Sequence, residues 1–245
     1  MVATNQKSKI RNQKFMSVYL IPCYLYEGVN ETIPPYVLDA VKQCTVFFVE
    51  NERTARRYLK SMWREMVIDD YRWYAIGKAE EAVLNAFAQE VKNGANIGII
   101  SEAGCPGVAD PGQLLVAKAQ QLQATVKPLV GPSSILLALM ASGLNGQQFS
   151  FHGYLPIDAA ERKKKLQQLE AEAQKTQGCH LFIETPYRNE PMLKDMLQHL
   201  QPNTRLCIAA DMTAPTEWVV TKTIKEWRQS TIPSLHKRPV IFLIG

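Results

Sequence analysis

The chain has 245 residues, 46% hydrophobic and 21% charged, which is ordinary globular composition and enough for one large domain or two smaller ones. Its formal charge is +5, but Lys7, Lys9, Arg11 and Lys14 all precede the first acid, Glu27, so the remainder is near neutral and net charge gives little support for nucleic-acid binding. No apolar run approaches the roughly 18 residues of a membrane span, and the N-terminus lacks the apolar core of a secretory signal.

The five cysteines are odd in number and form no Cys-x-x-Cys pair; several lie in or beside apolar strand-like runs, as packed thiols in a reducing cytosol would. The four histidines show no metal-ligand spacing. These features predict a cytoplasmic chain with no disulfide frame, no membrane segment and no metal.

Residues 1–15 are polar, basic and aperiodic, and are expected to be a disordered extension. Residues 18–21 read as a buried strand ended by Pro22, and Pro34-Pro35 opens a helix with Val37, Leu38 and Val41 on one side. The run 45–49, β-branched and aromatic throughout, is a strand covered on both faces. Glu50 to Arg53 follow at its C-terminal end and lead into a helix with Ala55, Tyr58, Leu59 and Met62 inward. A weaker strand at 73–76 and a helical stripe of Val83, Leu84, Phe87 and Val91, closed by Gly94, come next.

The apolar run 97–100 then stops at Ser101, and three glycines and two prolines fall within 101–112. Asp110 as N-cap and Pro111 at the first helical position start another helix. Strand, long stiff loop, helix is the arrangement that places a ligand loop at the edge of an open parallel sheet. The repeating strand–helix pattern over 16–130 predicts a doubly wound, mostly parallel sheet without the dinucleotide or P-loop fingerprints.

Residues 129–132 read as a hinge, after which Ser133-Ser134 cap an apolar helix stopped by Gly143. The second domain, 131–245, is expected to be α/β as well. Strands at 149–155, 179–184, 205–210, 218–221 and 240–244 outnumber the helices an all-parallel sheet needs, so a mixed sheet with helices on one side is expected.

In this order the motifs resemble the tetrapyrrole methylase superfamily of S-adenosylmethionine-dependent methyltransferases, and within it the bacterial 16S rRNA (cytidine-2'-O)-methyltransferase family. The resemblance rests on Ser101-Glu102-Ala103-Gly104-Cys105-Pro106 with Asp110-Pro111-Gly112, on 128–132, on Gly143-Leu144, on Gly153-Tyr154-Leu155-Pro156, on Glu50-Asn51-Glu52-Arg53 and on 183–188. It covers 16–245. It implies two α/β domains with S-adenosylmethionine in the cleft between them, a homodimer, and small-subunit ribosomal RNA as partner.

Carried onto this chain, the resemblance implies cofactor contacts at Pro22, Ser101, Glu102, Ala103, Gly104 and Pro106, with the ribose near Ser133 and Ser134 and the adenine near Glu184, Ala210 and Pro239. The chain departs from the family where Pro22 is followed by Cys23-Tyr24-Leu25-Tyr26-Glu27 in place of a Gly-Asn pair, and at Asn51, Glu102 and Cys105.

A ribose hydroxyl is a poor nucleophile, and a general base helps it. Glu50 is the candidate base or orienter, with Arg53 holding a phosphate. Basic runs at 53–64, 162–165 and 236–238 are the candidate RNA contacts. A methyltransferase of a small molecule such as a tetrapyrrole, and a catalytically weak cofactor-binding homologue, are the alternatives.

Overall fold

A computed structural model of the chain describes residues 16–77 and 80–245. The extension expected over 1–15 lies outside the described residues. The described chain falls into two compact units: 16–21, 35–102 and 106–129 form the first, and 22–34, 103–105 and 130–245 the second.

The first unit alternates strand and helix: β1 (Ser17–Ile21), α1 (Tyr36–Val41), β2 (Val46–Val49), α2 (Glu52–Met62), β3 (Arg72–Ala75), α3 (Glu80–Lys92), β4 (Ile97–Ile100), α4 (Gly112–Gln121) and β5 (Thr125–Pro128). The strands run in the order β3-β2-β4-β1-β5, every neighbouring pair parallel. Central β2 and β4 are buried along their whole length, which is why both read as unbroken apolar runs.

One face of this sheet packs Phe48, Ile97 and Ile99 against Phe87 and Val91 of α3 and Leu115 and Ala119 of α4. On the other, Phe47 stacks on Trp73 with ring centroids 4.9 Å apart. A Cβ at Gly98 would lie 2.7 Å from Ile21 Cδ1 and 2.7 Å from Phe47 Cδ1, so the side chains of β1 and β2 meet across β4 only because glycine leaves the space.

The second unit holds α5 (Ser134–Ser142), β6 (Phe149–Tyr154), α6 (Ala159–Thr176), β7 (Cys179–Ile183), α7 (Asn189–His199), β8 (Arg205–Ala210), β9 (Trp218–Thr223), α8 (Ile224–Arg228) and β10 (Val240–Ile244). Its sheet is mixed, in the order β6-β7-β10-β8-β9, with β6 parallel to β7 and the other pairs antiparallel. Strand alternation sorts the residues. Phe182, Leu206, Ile208, Phe242 and Ile244 face the layer that includes Leu166, Met196 and Trp227. Cys179, Leu181, Cys207, Ala209, Ile241 and Leu243 pack with Ala138 and Leu139 of α5. Helices therefore cover both faces, not one. The apolar run of α5 is spent on the back of this sheet.

Two helix starts differ from expectation. Pro111 is the N-cap of α4, and Asp110 sits one residue before it, its carboxylate accepting from the N–H groups of Gly107 (2.9 Å) and Gly112 (2.7 Å). Ser133 is the N-cap of α5, but its side chain makes no capping bond. Asp158 does cap α6, accepting from the N–H groups of Ala160 and Glu161.

His152 on β6 and His180 on β7 share one hydrogen bond, Nε2 to Nδ1 at 2.9 Å, at the point where the register of the pair shifts. Burial holds both imidazoles below their ordinary value of 6.5; repulsion between them and from Lys165 adds for His152, Lys165 lowers His180 further, and Glu172 opposes in both. The native state therefore binds fewer protons than the unfolded chain. Stability is complete above about pH 6.5 and declines as the pH falls through the depressed values. The melting temperature is expected to drop by a few degrees between about pH 7 and about pH 5, and by clearly less in His152→Gln, which calorimetry at several pH values will check.

Candidate functional site

The C-terminal edge of the parallel sheet is where an open α/β fold presents its loops. At the end of β2, the Glu50 N–H continues the sheet by donating to Ile100 C=O at 3.4 Å. Asn51 is then extended and caps α2, its Oδ1 accepting from Arg53 N–H (3.0 Å) and Thr54 N–H (3.3 Å). An abrupt strand-to-helix junction of this kind fixes the direction of the residue before it. The Glu50 carboxylate accepts from the Glu102 N–H at 2.7 Å, joining the loops that follow β2 and β4. Burial lifts the Glu50 carboxyl above its ordinary range against the pull of that N–H, and the charges of Asp110 and Glu102 raise it further. A half-buried carboxylate of raised pKa is suited to accepting a proton.

In the second unit, the turn 103–105 pairs with the loop 22–34. Cys23 N–H donates to Gly104 C=O at 2.8 Å and Gly104 N–H to Cys23 C=O at 3.1 Å. The Cys105 thiol reaches the carbonyls of Pro132 (3.5 Å) and Gly131 (3.7 Å). Pro22 packs so closely on Gly131 that a Cβ there would lie 2.1 Å from Pro22 Cβ.

Beside this turn lies a cavity of about 650 Å³. Its apolar wall is built from Ile183, Ala209, Met212 and Ile241; Ser134, Glu184, Asp211, Thr216 and Arg238 supply polar groups. The rim is held by one ion pair: Arg238 Nε donates to Asp211 Oδ2 at 2.8 Å and its Nη2 to Thr216 C=O at 2.8 Å, while the Thr216 hydroxyl donates to the same Asp211 oxygen at 2.8 Å. Asp211, Thr213 and Lys237 all take left-handed backbone, with φ of 53°, 70° and 63°. Strained backbone of this kind persists where surrounding structure over-determines it, commonly at ligand clamps. The Thr213 Oγ1, between cavity residues Met212 and Ala214, is buried without a partner. A flat, weakly polar ring with hydrogen-bonding edges suits an apolar wall bordered by polar groups in this way.

Ala103, Ser134, Glu184 and Pro239 line the cavity together. Pro22 and Gly104 are buried next to the turn that carries Ala103, and Ser133 caps α5 just before Ser134. Ala210 is fully buried on the opposite face of β8, packed with the α6–α8 layer, and its neighbour Ala209 reaches the cavity instead. Glu184 is occupied: its Oε1 accepts from Thr185 N–H and Arg188 Nη2, both at 2.6 Å. Ser101, Glu102 and Pro106 belong to the first unit with Glu50 and Arg53. Ser101 and Pro106 are buried, and Arg53 is exposed at the start of α2. Sequence reasoning missed Asp211, Met212 and Thr216, and it read Arg238 as an RNA contact where the structure makes it part of the cavity rim. Loop residues without periodicity gave little signal.

The basic runs divide on inspection. Arg64 lies past the end of α2, so the run 53–64 does not lie on one helix. Lys60 donates to the carbonyls of Arg64 and Met66, and Arg56 to Glu52 while lying over the Trp73 ring. Arg162 is buried against Asp195 at 2.6 Å. These side chains serve the fold. Arg53 and Lys163, Lys164 and Lys237 remain exposed.

Residues 28–227 match the family of tetrapyrrole (corrin/porphyrin) methylases. Among curated relatives, the protein of Vibrio cholerae named ribosomal RNA small subunit methyltransferase I is 34% identical over 82% of this chain and 67% of its own length. The protein of the same name in Haemophilus influenzae is 34% identical over 67% of this chain; the chain spans only 58% of that relative. Among solved structures, the methyltransferase CobJ superposes with a TM-score of 0.61 at 16% identity over 94% of this chain and 93% of its own. Uroporphyrin-III C-methyltransferase from Thermus thermophilus, complexed with S-adenosylhomocysteine, gives 0.53 at 15% over 94% and 97%. At such identities these two speak for the fold.

Arg238→Met removes the guanidinium that closes the cavity rim and leaves Asp211 with one partner fewer. The variant is expected to lose about 2 kcal/mol of stability and to bind S-adenosylhomocysteine about tenfold more weakly by titration calorimetry. Unchanged affinity would show that the rim does not shape the ligand site.

Proposed function

The chain belongs to the tetrapyrrole (corrin/porphyrin) methylase family, and we propose that it methylates the ribose 2′-hydroxyl of a cytidine in small-subunit ribosomal RNA, with S-adenosylmethionine as its methyl donor. What supports the acceptor is the likeness, over most of the chain, to relatives named for small-subunit ribosomal RNA. What supports the donor is the cavity of the second unit, with its apolar wall and polar rim.

When bound, the donor supplies an electrophilic methyl group on a sulfonium. The chain's own residues do the rest. Ala103, Ser134 and Pro239 hold the nucleoside portion, with Ala209 and Ile241 as its apolar support. The Asp211–Arg238–Thr216 network keeps the rim fixed, so little freedom is left to lose on binding. Glu50 takes the proton from the acceptor hydroxyl, and its hydrogen bond from Glu102 N–H keeps the carboxylate aimed. Arg53, exposed one residue into α2, holds a phosphate of the acceptor.

Incubation with methyl-labelled S-adenosylmethionine and small ribosomal subunits lacking this modification, followed by nucleotide mapping, is expected to place the label on a ribose of a cytidine. Label on no RNA despite donor binding points to a small-molecule acceptor or to a catalytically weak homologue.

Glu50→Gln tests the base. The ionised carboxylate is held at a cost, because its raised pKa makes the native state bind the proton better than the unfolded chain and so lowers stability as pH rises. The variant should therefore melt no lower than wild type at neutral pH while kcat/KM falls about 100-fold. An unchanged rate removes Glu50 from the chemistry.

A further inference from the structure

Tyr187 is 68% exposed, with one aromatic neighbour beside its ring. Its ring meets His236 at a centroid distance of 5.7 Å and an interplanar angle of 72°, an edge-to-face pair that restrains rotation and leaves at least one face of Tyr187 open. The loop carrying His236 is pinned beside it: Lys237 N–H donates to Pro186 C=O at 3.0 Å, and Lys237 keeps a left-handed φ of 63° to do so. Pro186 and Lys237 both line the cavity described above, and so does Tyr154, itself 61% exposed. An exposed cation and an exposed ring thus line one cavity, and Tyr187 directly follows its lining residue Pro186.

We propose that Tyr187, backed by His236 and flanked by Lys237, is a stacking platform for an unpaired base next to the nucleotide to be methylated. The proposal rests on the RNA reading above and names how the RNA is held. Single-stranded nucleic acid is gripped by aromatic faces that stack bases and by cations that meet the backbone; the stacking tolerates any sequence because every base has a π-face. Tyr187 supplies the face, and Lys237 the phosphate contact. Neither task is open to the neighbouring Arg188 or Arg238, whose guanidinium groups are spent on Glu184 and Asp211. A duplex offers no free base face, so the platform selects unpaired RNA.

The test uses the full chain and fluorescence anisotropy with a labelled oligocytidylate of about ten nucleotides, single-stranded or in duplex. The single strand is expected to bind better than the duplex. Tyr187→Ala should weaken single-strand binding about tenfold, and Tyr187→Phe should stay within about twofold because stacking needs the ring and not the hydroxyl. Lys237→Gln should lower the salt slope by about one. Affinity for S-adenosylhomocysteine and the melting temperature serve as controls, expected to be unchanged in the Tyr187 variants. Equal binding by wild type and Tyr187→Ala, or equal loss in the Phe and Ala variants, overturns the platform and leaves the RNA reading standing. A wild-type chain that binds no RNA and labels no subunit overturns both.

Discussion

Two backbone hydrogen bonds between Cys23 and Gly104 set the position of the glycine- and proline-rich turn. A purely local loop of this composition would be a poor ligand site, because nothing would hold its backbone still. Here the turn gains an antiparallel partner, and its next residue sends a thiol to two carbonyls of the segment entering α5. Gly131 is tight against Pro22, with no space for a side chain. Three stretches that are far apart in the sequence are therefore locked together by one main-chain bridge, one thiol and one proline ring. Ala103 and Ser134 reach the same cavity because these locks hold.

The cavity itself depends on a different kind of constraint. Its rim comes from the loop between β8 and β9 and the loop entering β10, neither of which has regular structure. Such loops keep one shape when their polar groups are paired. Asp211 accepts from Arg238 and Thr216, and Thr213 N–H donates to Glu217 at 2.6 Å. The left-handed residues lie at these same points. Strain and pairing occur together, as expected where a binding surface must exist before its ligand arrives.

Much of the fold was legible because buried strands announce themselves. The runs 205–210 and 240–244 form strands with those bounds, since continuous apolar sequence has few other uses at that length. Asp158 starts α6 for a similar local reason, its carboxylate accepting from the free N–H groups of the first turn. The five-residue α8 was not foreseen, although Thr223 and Glu226 form a complete capping box, because it follows β9 without a break. Motifs pointed to Ala103 and Ser134, and both line the candidate cavity. The rim was hidden where the partners are distant: Asp211 and Arg238 are 27 positions apart and meet only through the sheet. The charge runs misled for a related reason. A sequence shows that Arg162 is basic, and only the packed structure shows Asp195 across from it.

The sorting of side chains across the second sheet has a consequence for thiol chemistry. Cys179 and Cys207 are enclosed under α5, and burial pushes the Cys179 thiol up to about 12. Cys44 is likewise pushed up to about 12, and Cys23 is buried. Thiolates are the reactive form, so alkylating reagents pass these four by while the fold is intact. Cys105 alone among the cysteines of the described residues is not buried. A maleimide would thus mark the native protein at one place, two residues from Ala103 of the cavity wall, and would break the thiol's contacts with the Gly131 and Pro132 carbonyls.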